Sequence, residues 1–183
     1  MSARTPIVLL VVAMVLLGYI LAFERGRPSQ KEVDSPSGLL LEGLVRDRIT
    51  RIRIAEGARR VALRRDGEGF DETWTLEAPV EAPADAEPVE DYIRNWEFAI
   101  PIRTLESPSP EDIEQFGLGS PKAEVNFEMG PSNVRVSLGS GTPVDGGGYV
   151  RVDDAKAVIV VGQDVVALFD ETGERFAIQG DAG

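Results

Sequence analysis

The charged side chains best placed to bind a partner lie on two neighbouring segments near the start of the predicted domain. Arg51 and Arg53 alternate with isoleucines in ITRIRIAEG, and Arg60 and Arg64 alternate with apolar residues in RRVALRRDG. Period-two alternation is typical of half-buried strands, so these arginines are predicted to share one outer sheet face. Such a stripe suits anionic lipid headgroups, an acidic partner or a polyanionic envelope polymer. It equally suits a solvated face that only prevents aggregation.

A second candidate binding edge follows a glycine-rich loop. The segment GSGTPVDGGGYVR brings Asp145, Tyr149 and Arg151 close together in sequence. Glycine-rich loops can hold phosphate with backbone N–H groups. This loop lacks the Gly-Lys-Ser/Thr ending of a P-loop and the third glycine of a dinucleotide-binding fingerprint. We therefore predict a hairpin loop, with a weak ligand-binding edge left as an alternative.

The residue inventory excludes several classes of enzyme. The chain contains no histidine and no cysteine, so it has no Ser-His-Asp triad, thiol nucleophile, ordinary zinc site or cysteine-ligated iron–sulfur cluster. Carboxylates alone can hydrolyse glycosides, but no spacing selects a pair. Glu87, Glu90 and Asp91 cluster at a predicted helix start, where the helix dipole explains them. We expect no catalytic residue, no cofactor and no metal.

Residues 7–23 form an unbroken apolar run, IVLLVVAMVLLGYILAF. As a helix this run would be about 26 Å long, slightly short of a hydrocarbon core of about 30 Å. No small-x-small cleavage pair follows it, unlike in a secretory signal peptide. We therefore predict an uncleaved single-pass membrane anchor at residues 1–23, with the lipid bilayer as its partner.

The charges that flank the run leave its orientation nearly balanced. Arg4 precedes it, and Arg25, Arg27 and Lys31 follow it. Because large domains cross membranes largely regardless of charge, we expect the amino terminus inside. The anchor would then lie in the inner membrane, with the carboxyl-terminal domain in the periplasm or otherwise outside the cytoplasm.

Charge is distributed unevenly along the chain. Up to Phe70 there are 12 Lys and Arg against 8 Asp and Glu, whereas from Asp71 onward there are 7 against 23. The acidic larger part makes nucleic acid an unsuitable partner. We predict a polar linker at residues 24–38, a single domain at residues 39–170 and an acidic, frayed tail at residues 171–183.

Apolar periodicity predicts an α+β domain after the membrane helix. Three antiparallel strands come first, the third in TWTLEAP, and four more follow from Ala123. Between the two groups, Asp85 caps a helix whose apolar residues recur at three- and four-residue spacing. Ser109 and Pro110 then start a short second helix that ends at Gly117. Both helices are predicted to pack on the sheet.

Three motifs in this order resemble a known bacterial family. They are WTLEAPVEAPAD at Trp74 to Asp85, FGLGSP at Phe116 to Pro121, and VSLG leading to GGGYVRV. Over roughly Ile49 to Asp170 the chain resembles the domain-of-unknown-function family numbered 4340. The resemblance implies an envelope accessory protein with an α+β domain, often encoded beside gliding-motility-type ABC transporters. Some relatives carry more than one such unit and this chain has room for one, which leaves a homo-oligomer open.

Two functions are then in competition. The first is a non-enzymatic interaction module, tethered outside the membrane, that helps to assemble or couple a transporter or envelope complex through a membrane or envelope protein partner. The alternative is a carbohydrate- or ligand-binding, or hydrolysing, domain that uses Asp145, Tyr149 and Arg151 or the acids of the first helix. That alternative predicts a concave site with converging carboxylates of raised pKa.

Overall fold

The computed structural model describes residues 38–67, 72–143 and 146–178. The predicted anchor and nearly all of the predicted linker lie outside these residues. Within the described ranges, no helix is long and apolar enough to span a bilayer. From Gly38 onward the chain forms one compact unit.

An antiparallel sheet of nine strands organises this unit. The strands are β1 Arg51–Glu56, β2 Arg59–Asp66, β3 Thr73–Ala78, β4 Ala82–Ala84, β5 Arg103–Leu105, β6 Ala123–Met129, β7 Ser132–Gly141, β8 Gly148–Val152 and β9 Val158–Val161. They pair in the order β4-β3-β2-β1-β6-β7-β8-β9-β5. The alternation of apolar and polar residues explains the central strands β1 and β6, in which the apolar side chains at alternate positions are buried.

Four short α-helices occur among the described residues: α1 Ala86–Glu97, α2 Pro110–Gln115, α3 Gln163–Ala167 and α4 Gly173–Phe176. The side chain of Asp85 caps α1 by accepting a 3.1 Å hydrogen bond from the Glu87 amide. Ser109 and Asp112 form a capping box at the start of α2. These two helices begin where the capping signals predict them.

The predicted α+β class is wrong, because this domain is mostly antiparallel β-sheet. The strands β4 and β5 were missed, and each contains only three residues. A three-residue strand is too short to show alternation, and β4 also contains Pro83. The strand β4 forms because it pairs with β3, and β5 forms because it pairs with β9. Neither strand has a sequence pattern of its own. The helices are short and few beside a sheet of nine strands.

The core lies against one face of the sheet, where α1 supplies the largest buried side chains. Trp96 packs edge-on against Phe169 with ring centroids 5.2 Å apart, and Phe127 of β6 lies 5.9 Å from Trp96. Tyr92 lies 5.6 Å from Phe176 of α4. Three leucines that precede β1 complete this cover, and all three are buried: Leu40, Leu41 and Leu44.

The hydroxyl of Tyr92 is the polar centre of this apolar layer. It donates a 3.1 Å hydrogen bond to the carbonyl oxygen of Leu168, which belongs to a 3-10 turn at Leu168–Asp170. Burial raises the pKa of Tyr92, so the hydroxyl remains a neutral donor at physiological pH. This bond ties the helix α1 to the carboxyl-terminal part of the chain.

The folded domain continues beyond Asp170, where the sequence analysis placed the start of a frayed tail. Phe176 is fully buried, and its carbonyl oxygen accepts a 2.8 Å hydrogen bond from the Asp85 amide. Ala177 forms an isolated bridge with Ala84 of β4. This segment therefore covers the free edge of β4. Residues 179–183 lie outside the described ranges.

Replacing Tyr92 by phenylalanine tests the buried hydrogen bond. The Y92F variant leaves the Leu168 carbonyl without this donor, so its free energy of unfolding should fall by about 1–3 kcal/mol. Urea denaturation of the full chain in detergent measures the change. Y149F is the matched control, because the Tyr149 contact is made by its ring, and it should change stability by no more than about 0.5 kcal/mol. Equal losses in both variants would contradict the assignment.

Candidate functional site

The four arginines of the predicted stripe do share one sheet face. In the antiparallel register of β1 and β2, Arg51 lies opposite Arg64, and Arg60 lies opposite Ala55 two residues beyond Arg53. Ile52 and Ile54, which alternate with them, are buried on the other face. The stripe therefore lies on the face of the sheet opposite α1 and the aromatic core.

Most of this arginine stripe is ion-paired with carboxylates from the two flanking strands. Arg51 contacts Glu77 of β3 at 3.0 Å and Glu128 of β6 at 3.4 Å. Arg64 contacts Glu77 at 2.9 Å, and Arg53 pairs with Glu128. The hydrogen bond to Glu77 raises the pKa of Arg51. The surface is thus a lattice of alternating charges rather than a purely basic field.

A groove of about 340 Å³ lies within this lattice, between β1, β2, β6 and β7. Arg60 at its rim donates to the carbonyl oxygens of Gly57 and Arg59, both at 2.8 Å. The charged and polar side chains that line the groove are Arg53, Arg60, Glu124, Asn126 and Arg135. Three guanidinium groups and one carboxylate therefore surround the groove, which favours a partner carrying acidic or carbonyl groups.

Three polar atoms on or near the groove are buried without a hydrogen-bond partner among the described residues. They are Oδ1 of Asn126, Nε of Arg135 and Nε of Arg151. Buried polar atoms in folded proteins are almost always hydrogen-bonded, to protein or to ordered water. These atoms accordingly mark positions where an ordered water would complete the bonding.

The structure places only two residues of the second candidate edge, Tyr149 and Arg151, near each other. Tyr149 and Arg151 lie two residues apart on β8, but the ring of Phe116 stacks on Tyr149 with centroids 4.2 Å apart. The chain itself therefore covers one face of the Tyr149 ring. Asp145 lies outside the described residues. Nowhere in the described ranges do three acidic side chains come together as a metal-binding group would require.

Two of the three acids at the start of α1 have side-chain contacts. Glu90 accepts a 3.2 Å hydrogen bond from Trp74 Nε1 and a 3.3 Å bond from Arg65, while Asp91 pairs with Arg94. The Arg65 guanidinium lies 4.8 Å from the centre of the Trp74 ring. Sequence reasoning missed Arg65, although alternation places it on the face opposite Arg64 and so toward the core.

The glycine motifs that carry the family resemblance mark a crossing of two backbone segments. The Ser140 amide donates a 2.7 Å hydrogen bond to the Phe116 carbonyl oxygen. A Cβ atom at Gly139 would overlap that same carbonyl oxygen, and Gly117 has a φ of +73°. Glycine is required at both points, because one needs close approach and the other a left-handed backbone. These motifs are therefore structural.

Fold and surface together define a mostly β domain in which one sheet face is covered and the other carries paired charges and a groove. The chain matches the model of a domain of unknown function, DUF4340, over residues 74–177. It belongs to that family. No curated protein and no solved structure matches the chain. The family match begins at Trp74, so it excludes β1, β2 and the arginine stripe, which the broader resemblance had included.

Substitution of Gly139 tests the backbone crossing. The G139A variant forces the Phe116 carbonyl to move, and its free energy of unfolding should fall by about 1–3 kcal/mol. In the control variant G43A, the added methyl group meets no atom within 4 Å. That variant should stay within about 0.5 kcal/mol of the parent chain in the same urea titration. A stable G139A chain would show that the crossing tolerates a side chain.

Substitutions of Arg65 and Arg60, which both lie on β2, test the inward contacts of Arg65 against an exposed control. Only 9% of the Arg65 side chain is exposed, and R65M removes its contacts with Trp74 and Glu90. We expect a loss of about 1–2 kcal/mol in thermal or urea unfolding. R60M removes only exposed bonds to backbone carbonyls and should leave stability within about 0.5 kcal/mol. If the two variants unfold alike, the inward role of Arg65 is refuted.

Proposed function

We propose that this protein is a membrane-tethered, non-enzymatic interaction module that works outside the cytoplasm as an accessory part of a bacterial envelope complex. The observation that carries the proposal is the sheet face opposite α1, which holds the arginine stripe and the groove and which we call the open face. There, carboxylates and arginines alternate, and a groove of about 340 Å³ holds three guanidinium groups. A preformed pattern of charges gives a protein partner register and specificity more than raw affinity.

The contacts of the carboxylates support a binding role rather than a catalytic one. Glu77 and Glu128 each hold arginines of the stripe, and Glu90 is bonded to Trp74 and Arg65. A carboxylate that acts as a general acid or nucleophile has to face the substrate. These three instead hold neighbouring strands and the helix α1 in place.

The tether in this proposal is the apolar run at residues 7–23, which lies outside the described residues. It would hold the domain at the inner membrane, with the domain on the extracytoplasmic side. The resemblance to family 4340 suggests the partner: a membrane or envelope protein, and within that class a component of an ABC transporter. Such a partner would present acidic and carbonyl groups to Arg53, Arg60 and Arg135 in the groove.

Charge reversal on the open face tests this function. The double variant R53E/R60E should lower the recovery of co-purifying envelope proteins at least about tenfold, because it places like charges against an acidic partner. The full chain is purified in a gentle detergent, and the captured proteins are quantified by mass spectrometry. R94E/K156E is the matched control, since it reverses two exposed charges away from the groove and should leave recovery unchanged.

Two results would contradict the proposal. The first is that R53E/R60E and R94E/K156E retain the same set of partners. The second comes from a reporter that is active only in the periplasm, fused after Gly183. Activity of that reporter is expected, whereas an inactive but stable fusion would place the domain in the cytoplasm.

A further inference from the structure

Three large apolar side chains are exposed at alternate positions directly after α1. Phe98, Ile100 and Ile102 are 62%, 65% and 68% exposed, whereas the intervening Ala99 is buried and Pro101 is half-buried. Exposure thus alternates from Phe98 to Ile102, and Ile100 and Ile102 both lie on the outer side of this segment. We call Phe98, Ile100 and Ile102 the edge patch, because they lead into β5, the last strand of the sheet.

The backbone that presents the edge patch is firmly held. The Phe98 amide donates to the Arg94 carbonyl oxygen at 3.0 Å, and the Ile102 amide donates to the Val160 carbonyl oxygen at 2.9 Å. Ala99 accepts a 2.7 Å hydrogen bond from the Leu40 amide. Single exposed apolar residues are normal on protein surfaces, but a group of three on a fixed segment is typical of a contact site.

The place where the chain enters the domain indicates what covers this patch. Leu40, bonded to Ala99 in the middle of the patch, is the third described residue. Sixteen residues separate it from Phe23, the end of the apolar run. A stretch of that length reaches at most about 60 Å. The edge patch therefore lies beside the point at which the domain is connected to its tether.

We propose that the edge patch docks on the bilayer from which the domain is tethered, with Phe98, Ile100 and Ile102 entering the boundary between headgroups and acyl chains. This inference rests on the membrane tether of the proposed function. Apolar side chains with basic neighbours are suited to that boundary, and exposed Arg103 follows Ile102 directly. Three side chains bind a bilayer weakly by themselves, but a tether supplies a high effective concentration.

Docking in this way would orient the domain. The β5 edge of the sheet would face the bilayer, and the β4 edge, at the other end of the strand order, would point away from it. Val80 lies in the turn between β3 and β4, and Ile178 bonds to Pro83 of β4. Both are exposed apolar residues, so they are natural controls for the edge patch.

The absence of cysteine permits a direct measurement. Four variants of the full chain, I100C, I102C, V80C and I178C, each carry one environment-sensitive fluorophore and are reconstituted into phosphatidylethanolamine–phosphatidylglycerol vesicles. Vesicles with and without nitroxide-labelled lipid are then compared. Quenching should be at least about twofold stronger at Ile100 and Ile102 than at Val80 and Ile178, since only the edge patch reaches the headgroup boundary.

Other results would overturn the docking of the edge patch on the bilayer. Equal quenching at all four positions overturns the docking. A blue shift at Ile100 and Ile102 that rises with the protein-to-lipid ratio, without nitroxide quenching, assigns the patch to a second copy instead. Flotation of the vesicles after an alkaline wash tests the membrane tether separately from the docking of the edge patch. Chains that float but are not quenched at the edge patch refute only the docking, whereas chains that fail to float refute the tether and the docking that depends on it.

Discussion

The packing of α1 on one face of the sheet determines the rest of this structure. Tyr92 and Trp96 lie against Phe127, Phe169 and Phe176, and together they form the aromatic cover of that face. Side chains of a strand alternate strictly between its two faces, so a register shift of one residue would bury the arginines and expose the isoleucines. Once α1 covers one face, the arginine stripe must lie on the other.

The family match includes the helix that covers the sheet but only part of the open face. The match at residues 74–177 contains α1, the backbone crossing at Gly139 and the segment that closes the β4 edge. The arginine stripe lies on β1 and β2, before the match begins. Its partner carboxylates, Glu77 and Glu128, lie inside the match. The matched residues thus contain the carboxylates of these ion pairs, and the arginines precede the match in the chain.

The sequence predicted best those elements that carry their own periodic pattern. Ile52 and Ile54 mark β1 by alternation, and Asp85 with its helical repeat marks α1, so neither depends on distant residues. By contrast, β4 and β5 exist through pairing with β3 and β9, and α4 is stabilised by burying Phe176 beside Tyr92. Such contacts depend on the tertiary arrangement, which a local pattern does not contain.

The same limit applied to the candidate site. Alternation correctly put Arg51, Arg53, Arg60 and Arg64 on one face. The ion pairs that neutralise three of them, Arg51, Arg53 and Arg64, depend on the pairing of β1 with β6 and of β2 with β3. No spacing in the chain reveals that Glu128 reaches two of these arginines. The sequence therefore suggested a basic stripe, whereas the folded surface is a lattice of paired charges.

Photocrosslinking in living cells can show whether the partner binds the open face. A photoreactive amino acid is placed at Arg53 on the open face or at Glu87, an exposed position of α1 on the covered side. A discrete crosslinked envelope protein is expected from position 53 and none from position 87. Crosslinks from position 87 alone, at equal expression, would show that the partner binds elsewhere.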